Sequence, residues 1–255
     1  MIRPVADLGK LALIAAGGSF LSLGSASAAL AQQPAAAAAP SADRGARLNI
    51  APLRLEFDAA KTSATVMVTN TSGRPLSVQT RLFAWSQQAG EDVFAPSTAL
   101  TVSPSIITIA PGATQIVRVL RGTAASPGEK RFRLAVDQLP DPTLATGGEA
   151  EARLRFTLPL FMDRDKAAPA ALAWRLTPGR LELANSGGQT VRVVGLEMRN
   201  TAGTAVQLER NSLRYVQGES TISWGLANAC GLGPLSIKAM IDGQAVNAQV
   251  PPTCG

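Results

Sequence analysis

The feature that most constrains this chain is the rhythm of its apolar residues. Short alternating or β-branched runs follow one another, each closed by Gly, Pro, Asn or Ser. From residue 48 onward they occupy 48–57, 65–69, 76–85, 100–102 with 106–109, 115–120, 131–139 and 152–161. About seven strands in roughly a hundred residues is the pattern of an immunoglobulin-like sandwich. Turn chemistry separates the runs at Asn70 and Gly73, at Pro111-Gly112 and at Pro127-Gly128. After a polar stretch at 163–169, a second series occupies 171–176, 181–184, 191–199, 205–208, 213–216, 235–241 and 245–250. Gly187-Gly188 and Asp242-Gly243 supply its clearest turns. No amphipathic helical period follows the first 47 residues. The expected fold is all-β, with two immunoglobulin-like β-sandwich domains in tandem at 48–163 and 164–255.

The N-terminus reads differently. Arg3 and Lys10 precede an apolar stretch, 11–23, and small residues follow, with Ala29 and Ala31 placed for cleavage after Ala31. Basic, apolar and cleavable regions in that order describe a secretory signal peptide over 1–31. The apolar stretch is shorter than the ~20 residues a spanning helix needs, and Gly17, Gly18 and Ser19 interrupt it. The Ala/Pro-rich residues 32–47 read as a flexible leader. No later segment is long enough to enter a bilayer, so no stable membrane insertion is expected after cleavage.

An exported chain with two cysteines, Cys230 and Cys254, is expected to join them in a disulfide. On the chain-entropy account a loop of that size is stabilised by ~3 kcal/mol. Histidine is absent, which removes His-based triads, imidazole metal ligands and the usual proton shuttle. There is no phosphate-cradling GxxxxGK[ST], no GxSxG and no metal-ligand cluster. No cofactor, metal or catalytic residue is therefore expected, and the chain does not read as an enzyme. The net charge of +6 is not gathered into a basic block interleaved with aromatics, so nucleic acid is not an expected partner.

Several segments, taken in order, resemble the PapD-like periplasmic pilus-assembly chaperones. They are Leu53, Arg54, Leu55, Glu56 and Phe57; Val66 to Asn70 through Arg74-Pro75; the strand around Trp85; Val102-Ser103-Pro104; and Ile109 to Gly112 before Gln115 to Val119. They continue with Glu129 to Leu134 through Gln138, Leu139 and Pro140, and with Leu154 to Met162. The ending Leu158, Pro159, Leu160, Phe161 is similar to the branch that serves archaic fimbriae. The resemblance covers most of 48–162 and is loose in the second domain, mainly 185–199.

The resemblance implies a binding protein without turnover. It would cap a pilus subunit that lacks a strand and pass it to an outer-membrane usher. Along 150–158, Ala152, Leu154, Phe156 and Leu158 share one face of a strand, and Glu151, Arg153, Arg155 and Thr157 the other. Periodicity alone describes a strand turned to its own core; the resemblance implies one lent to the subunit by β-strand addition. It also implies that Arg54 anchors the subunit's terminal carboxylate, a task a guanidinium performs with two charge-assisted hydrogen bonds. The family adds a Lys to that anchor, and Pro159 stands in its place here, so either Arg155, Arg164 or Lys166 substitutes or the anchor is weaker in this chain. Arg118 and Glu129 match positions of an interdomain ion pair. Asp242 reads either as their partner or, preferably, as part of a plain Asp-Gly turn. The competing reading is a secreted structural or adhesive β-sandwich protein. It is disfavoured because 32–47 lacks the alternating large apolar residues such a subunit would donate.

Overall fold

The computed structural model describes residues 47–141, 153–208 and 213–253. The expected signal peptide and leader lie outside these residues up to Ala46, as do Ala152 and Cys254. Strands dominate, and two short 3-10 turns, Arg164–Lys166 and Ala229–Leu232, are the helical segments among the described residues. None is long and apolar enough to cross a membrane.

Ten strands build the first sandwich: β1 (Leu48–Ala51), β2 (Leu55–Phe57), β3 (Ser63–Asn70), β4 (Leu76–Gln88), β5 (Glu91–Pro96), β6 (Leu100–Ser103), β7 (Ile106–Ile109), β8 (Thr114–Arg121), β9 (Lys130–Gln138) and β10 (Arg155–Met162). One sheet has the order β1-β3-β8-β6; the other runs β2-β10-β9-β4-β5, with β7 also paired to β4. Alternation does what it should. On β3, Val66 and Val68 are buried while Thr65 and Met67 face outward, and Val117 and Val119 of β8 repeat the pattern. Phe132, Leu134 and Val136 of β9 meet them across the sandwich, together with Leu158, Leu160 and Met162 of β10.

Eight strands build the second: β11 (Leu172–Thr177), β12 (Arg180–Asn185), β13 (Val191–Arg199), β14 (Ala205–Val206), β15 (Arg214–Val216), β16 (Ser220–Gly225), β17 (Leu235–Ile241) and β18 (Gln244–Val250). They form a β11-β12-β16 sheet and a β14-β13-β17-β18 sheet, with β15 also on β13. Their side chains close a separate core around Leu181, Leu183, Val193, Ile222, Trp224 and Ile237. In β13 the register against β17 shifts between Val194 and Glu197, where Gly195 takes a positive φ of 61°. Only a residue without Cβ adopts that conformation cheaply, so the bulge is written at a glycine. The chain is all-β, with two sandwiches.

The structure divides the apolar runs more finely than their pattern does. Residues 48–57 are two strands in two sheets, because Pro52 removes an N–H and the chain crosses from one layer to the other after Ala51. β5 and β16 carry no strong strand signal. β5 is a mostly exposed ribbon that leans on β4, and in β16 only Ile222 and Trp224 reach the core. Both strands form because a neighbour offers a ladder.

Candidate functional site

β10 is paired along its whole length on one flank and along only part of it on the other. Against β9 the antiparallel register runs from Arg155 opposite Asp137 to Met162 opposite Lys130. Against β2 the parallel pairing covers only Leu160, Phe161 and Met162, opposite Leu55, Glu56 and Phe57. Among the described residues no strand occupies that second flank from Arg155 to Pro159. The Leu154 carbonyl accepts from Gln138 N–H at 2.9 Å, on the β9 side. Alternation of the ladder then turns the backbone groups of Arg155, Thr157 and Pro159 to the open flank. Pro159 has no N–H to waste there, and edges are where sheets tolerate proline.

The four residues expected to share a face divide by depth. Leu158 is buried in the sandwich's own core, Phe156 packs partly against that core, and Leu154 is half-buried. Ala152 lies outside the described residues. On the opposite face Arg155 joins Arg81 in holding the nearly buried Asp137, with the Arg81 contact at 2.6 Å. Burial acts to raise the Asp137 pKa, but hydrogen bonds from the two guanidiniums prevail and hold it below the ordinary value of 3.8.

At its far end β10 enters the cleft between the two sandwiches. Phe161 is fully buried there, and two guanidiniums lie over its ring, Arg54 at 4.6 Å and Arg164 at 5.6 Å. Arg54 holds Glu56 through Nε at 2.7 Å and Nη2 at 2.6 Å, and reaches Asp242 through Nη1 at 3.3 Å. Arg164 bonds Glu129, reaches Asp242 at 3.4 Å and lies 3.9 Å from Glu56. Glu129 is buried and also accepts the Thr190 N–H at 2.9 Å and Arg131 Nε at 3.1 Å. Of the three cations considered as company for Arg54, Arg164 stands beside it. Arg155 belongs to the Asp137 group, and Lys166 pairs with Asp165 on the surface.

Asp242 makes the expected turn and joins the cleft through Arg54 and Arg164, but among the described residues it contacts neither Arg118 nor Glu129, the partners weighed for it. With Gly243 it makes the two-residue turn between β17 and β18, both residues at positive φ, and its carboxylate joins the cleft network. Arg118 does not. It is exposed on β8, opposite Thr65 and Ser103, in the sheet that lacks β10, and it makes no ion pair among the described residues. The arginine bound to Glu129 and Asp242 is Arg164, just past the end of β10. Arg121, three residues beyond Arg118, is the β8 arginine with a buried acid, Asp163, at 2.8 Å. Cys230 lies in the second 3-10 turn and is not a free thiol; its expected partner, Cys254, lies outside the described residues.

A second contact between the sandwiches escaped the strand pattern. Trp85 of β4, Phe161 of β10 and Tyr215 of β15 form a buried cluster, with Trp85 and Tyr215 edge-to-face at 5.2 Å. Arg133 lies 3.7 Å over Trp85 and 4.8 Å from the Tyr215 ring centre. Burial pulls its pKa below the ordinary range, against the opposing pull of Tyr215 and Asp92. Gln87 donates to the Tyr215 carbonyl at 2.8 Å and accepts the Gln217 N–H at 3.0 Å. The available signal was compositional, since Tyr215 is the chain's one tyrosine.

Comparison with known proteins bears on the fold. Residues 47–167 match the family model of the pili and flagellar-assembly chaperone PapD N-terminal domain. No curated protein matches the chain in sequence. Among solved structures it is similar to a chain of the CsuC–CsuE chaperone–tip adhesion subunit pre-assembly complex from archaic chaperone-usher Csu pili of Acinetobacter baumannii. That likeness has 20% identity and a TM-score of 0.64, over 80% of this chain and 98% of that one. The E. coli chaperone DraB is similar at 18% identity and a TM-score of 0.57, over 82% and 98%. The structure of the Salmonella enterica SafA pilin in complex with the SafB chaperone contains another likeness, at 15% identity and a TM-score of 0.59, over 79% and 95%. Residues 47–167 therefore belong to the PapD N-terminal domain family, and the chain shares its two-sandwich fold with solved chaperones.

Proposed function

We propose that this chain is a periplasmic chaperone that stabilises pilus subunits by lending them the open flank of β10 and then delivers them to an outer-membrane usher. The observation that carries the reading is the half-paired strand itself. Among the described residues, 155–159 have one flank unladdered, and the same strand runs directly into a cleft where Arg54 and Arg164 meet over Phe161. A subunit short of one strand would find backbone partners in Arg155 and Thr157, and side chains for its groove in Ala152, Leu154 and Phe156. Each large apolar side chain removed from water contributes ~1.5–3 kcal/mol, and each backbone hydrogen bond a net ~0.5–1.5 kcal/mol. Leu158, already buried in its own core, serves chiefly to hold the strand in place. Arg54 would grip the subunit's terminal carboxylate, with Arg164 as the second cation where the family's Lys is missing.

The remaining parts follow from the same reading. Residues 1–31 direct export, the domains divide at 163/164, and Cys230 pairs with Cys254 in the oxidising compartment. The test is capture in the native periplasm. A tagged wild-type chain should bring down a small sandwich-type subunit, and a Leu154→Asp/Phe156→Asp variant that remains folded should not. Failure of both proteins to retain any subunit would remove the chaperone reading.

A further inference from the structure

The cleft network is already electrically complete. Three arginines, Arg54, Arg131 and Arg164, face three carboxylates, Glu56, Glu129 and Asp242. The carboxylates are not equally held. Glu129 has no exposed side-chain surface, accepts the Thr190 N–H at 2.9 Å and takes two guanidiniums. Asp242 is 30% exposed, sits in a tight turn and accepts the Arg192 N–H at 3.0 Å. Glu56 is 47% exposed, and among the described residues only arginines bind it. It nonetheless takes the best of Arg54, since one of its oxygens accepts both Nε and Nη2, the edge a guanidinium offers to an incoming carboxylate.

We infer that Glu56 is a resident stand-in carboxylate, occupying the Arg54 fork while the cleft is empty and swinging out when a carboxylate-ended ligand arrives. This rests on the proposed anchoring role of Arg54 and adds to it a competitor built into the chain. A fourth anion entering a balanced cluster must displace one of the three present. The two acids with backbone donors stay, and the exposed one moves. Displacement then sharpens selection, because a ligand must offer a better-placed carboxylate than Glu56 and not merely a negative charge. Glu56 leads from β2 into solvent, so its release breaks no ladder and uncovers no core.

The test uses the whole mature chain labelled with 15N-arginine. The Nε–Hε resonance of Arg54, assigned by its loss in Arg54→Lys, is followed during titration with sodium acetate and, at matched ionic strength, sodium chloride. Acetate should shift it saturably and chloride should not, and Glu56→Gln should tighten acetate binding by about two- to fivefold, the weight of one exposed ion pair. Unchanged or weaker acetate binding in Glu56→Gln would overturn the inference, making Glu56 a strut that orients Arg54. A lack of any saturable shift in both proteins would overturn it too. The two readings fail separately. Tightened acetate binding with no subunit captured sinks the chaperone reading alone, and captured subunit with unchanged acetate binding sinks the stand-in alone.

Discussion

At Glu129 one carboxylate answers three donors from both sandwiches: Arg164, Arg131 and the N–H of Thr190. Removing it strands two guanidiniums at a buried seam, so Glu129→Ala should cost about 3–5 kcal/mol of stability in urea denaturation. Arg118→Ala, exposed on β8, should lie within about 0.5 kcal/mol of wild type. Asp163 should contribute to the molecule's acid sensitivity. Burial acts to raise its pKa, yet the Arg121 guanidinium and the Ser126 N–H outweigh burial and hold it below the ordinary 3.8. A depressed folded-state pKa contributes stability above the unfolded value and loses it as pH falls through the folded one. With Asp137 shifted the same way, the urea midpoint should stay flat from neutral pH to about pH 5 and drop below about pH 4. Asp163→Asn, which tolerates the left-handed backbone there (φ 59°), should lower stability at neutral pH and shrink the acid loss.

β10 shows how one element serves two masters. Its β9 flank and its Leu158, Leu160 and Met162 side chains belong to the sandwich, while among the described residues its other flank has no partner strand until Leu160 meets Leu55. The two duties separate by backbone direction, which allows a discriminating substitution. Thr157 turns its N–H to the open flank, so Thr157→Pro leaves the β9 ladder intact. Its stability should fall by no more than about 1 kcal/mol, while subunit capture in the periplasm is lost. If Thr157→Pro captures subunit as wild type does, strand addition along this flank is refuted. The alternation of 150–158 was legible in the sequence, and so was the proline at 159. The open flank was not, because an unpaired edge depends on where β2 stops, and β2 is only three residues long.

Among the described residues the two sandwiches meet at the ionic cleft around Glu129, at the aromatic wedge of Trp85, Phe161 and Tyr215, and where Arg214 reaches the Gly90 carbonyl and Glu91. Tyr215→Ala should cost about 3 kcal/mol and uncouple the halves, seen as a second calorimetric transition where wild type has one. A single transition in the variant would assign the coupling to the cleft and the Arg214 contact in place of the wedge. Strand-rich architecture lies in local pattern, and pattern suffices for it because alternation and turn chemistry act over a few neighbours. So the all-β fold with two sandwiches was readable from residues in order, while Arg54 entered as a candidate anchor only through the family resemblance. Arg164 and Asp242 were visible but not assignable, since they lie 78 positions apart and meet only when β17 and β18 turn back toward the end of β10. The flank of β10 left open among the described residues and the place of Arg164 rather than Arg118 at the seam were decided by tertiary structure. Each depends on how far apart two elements stop in space, a distance that no local preference of the chain encodes.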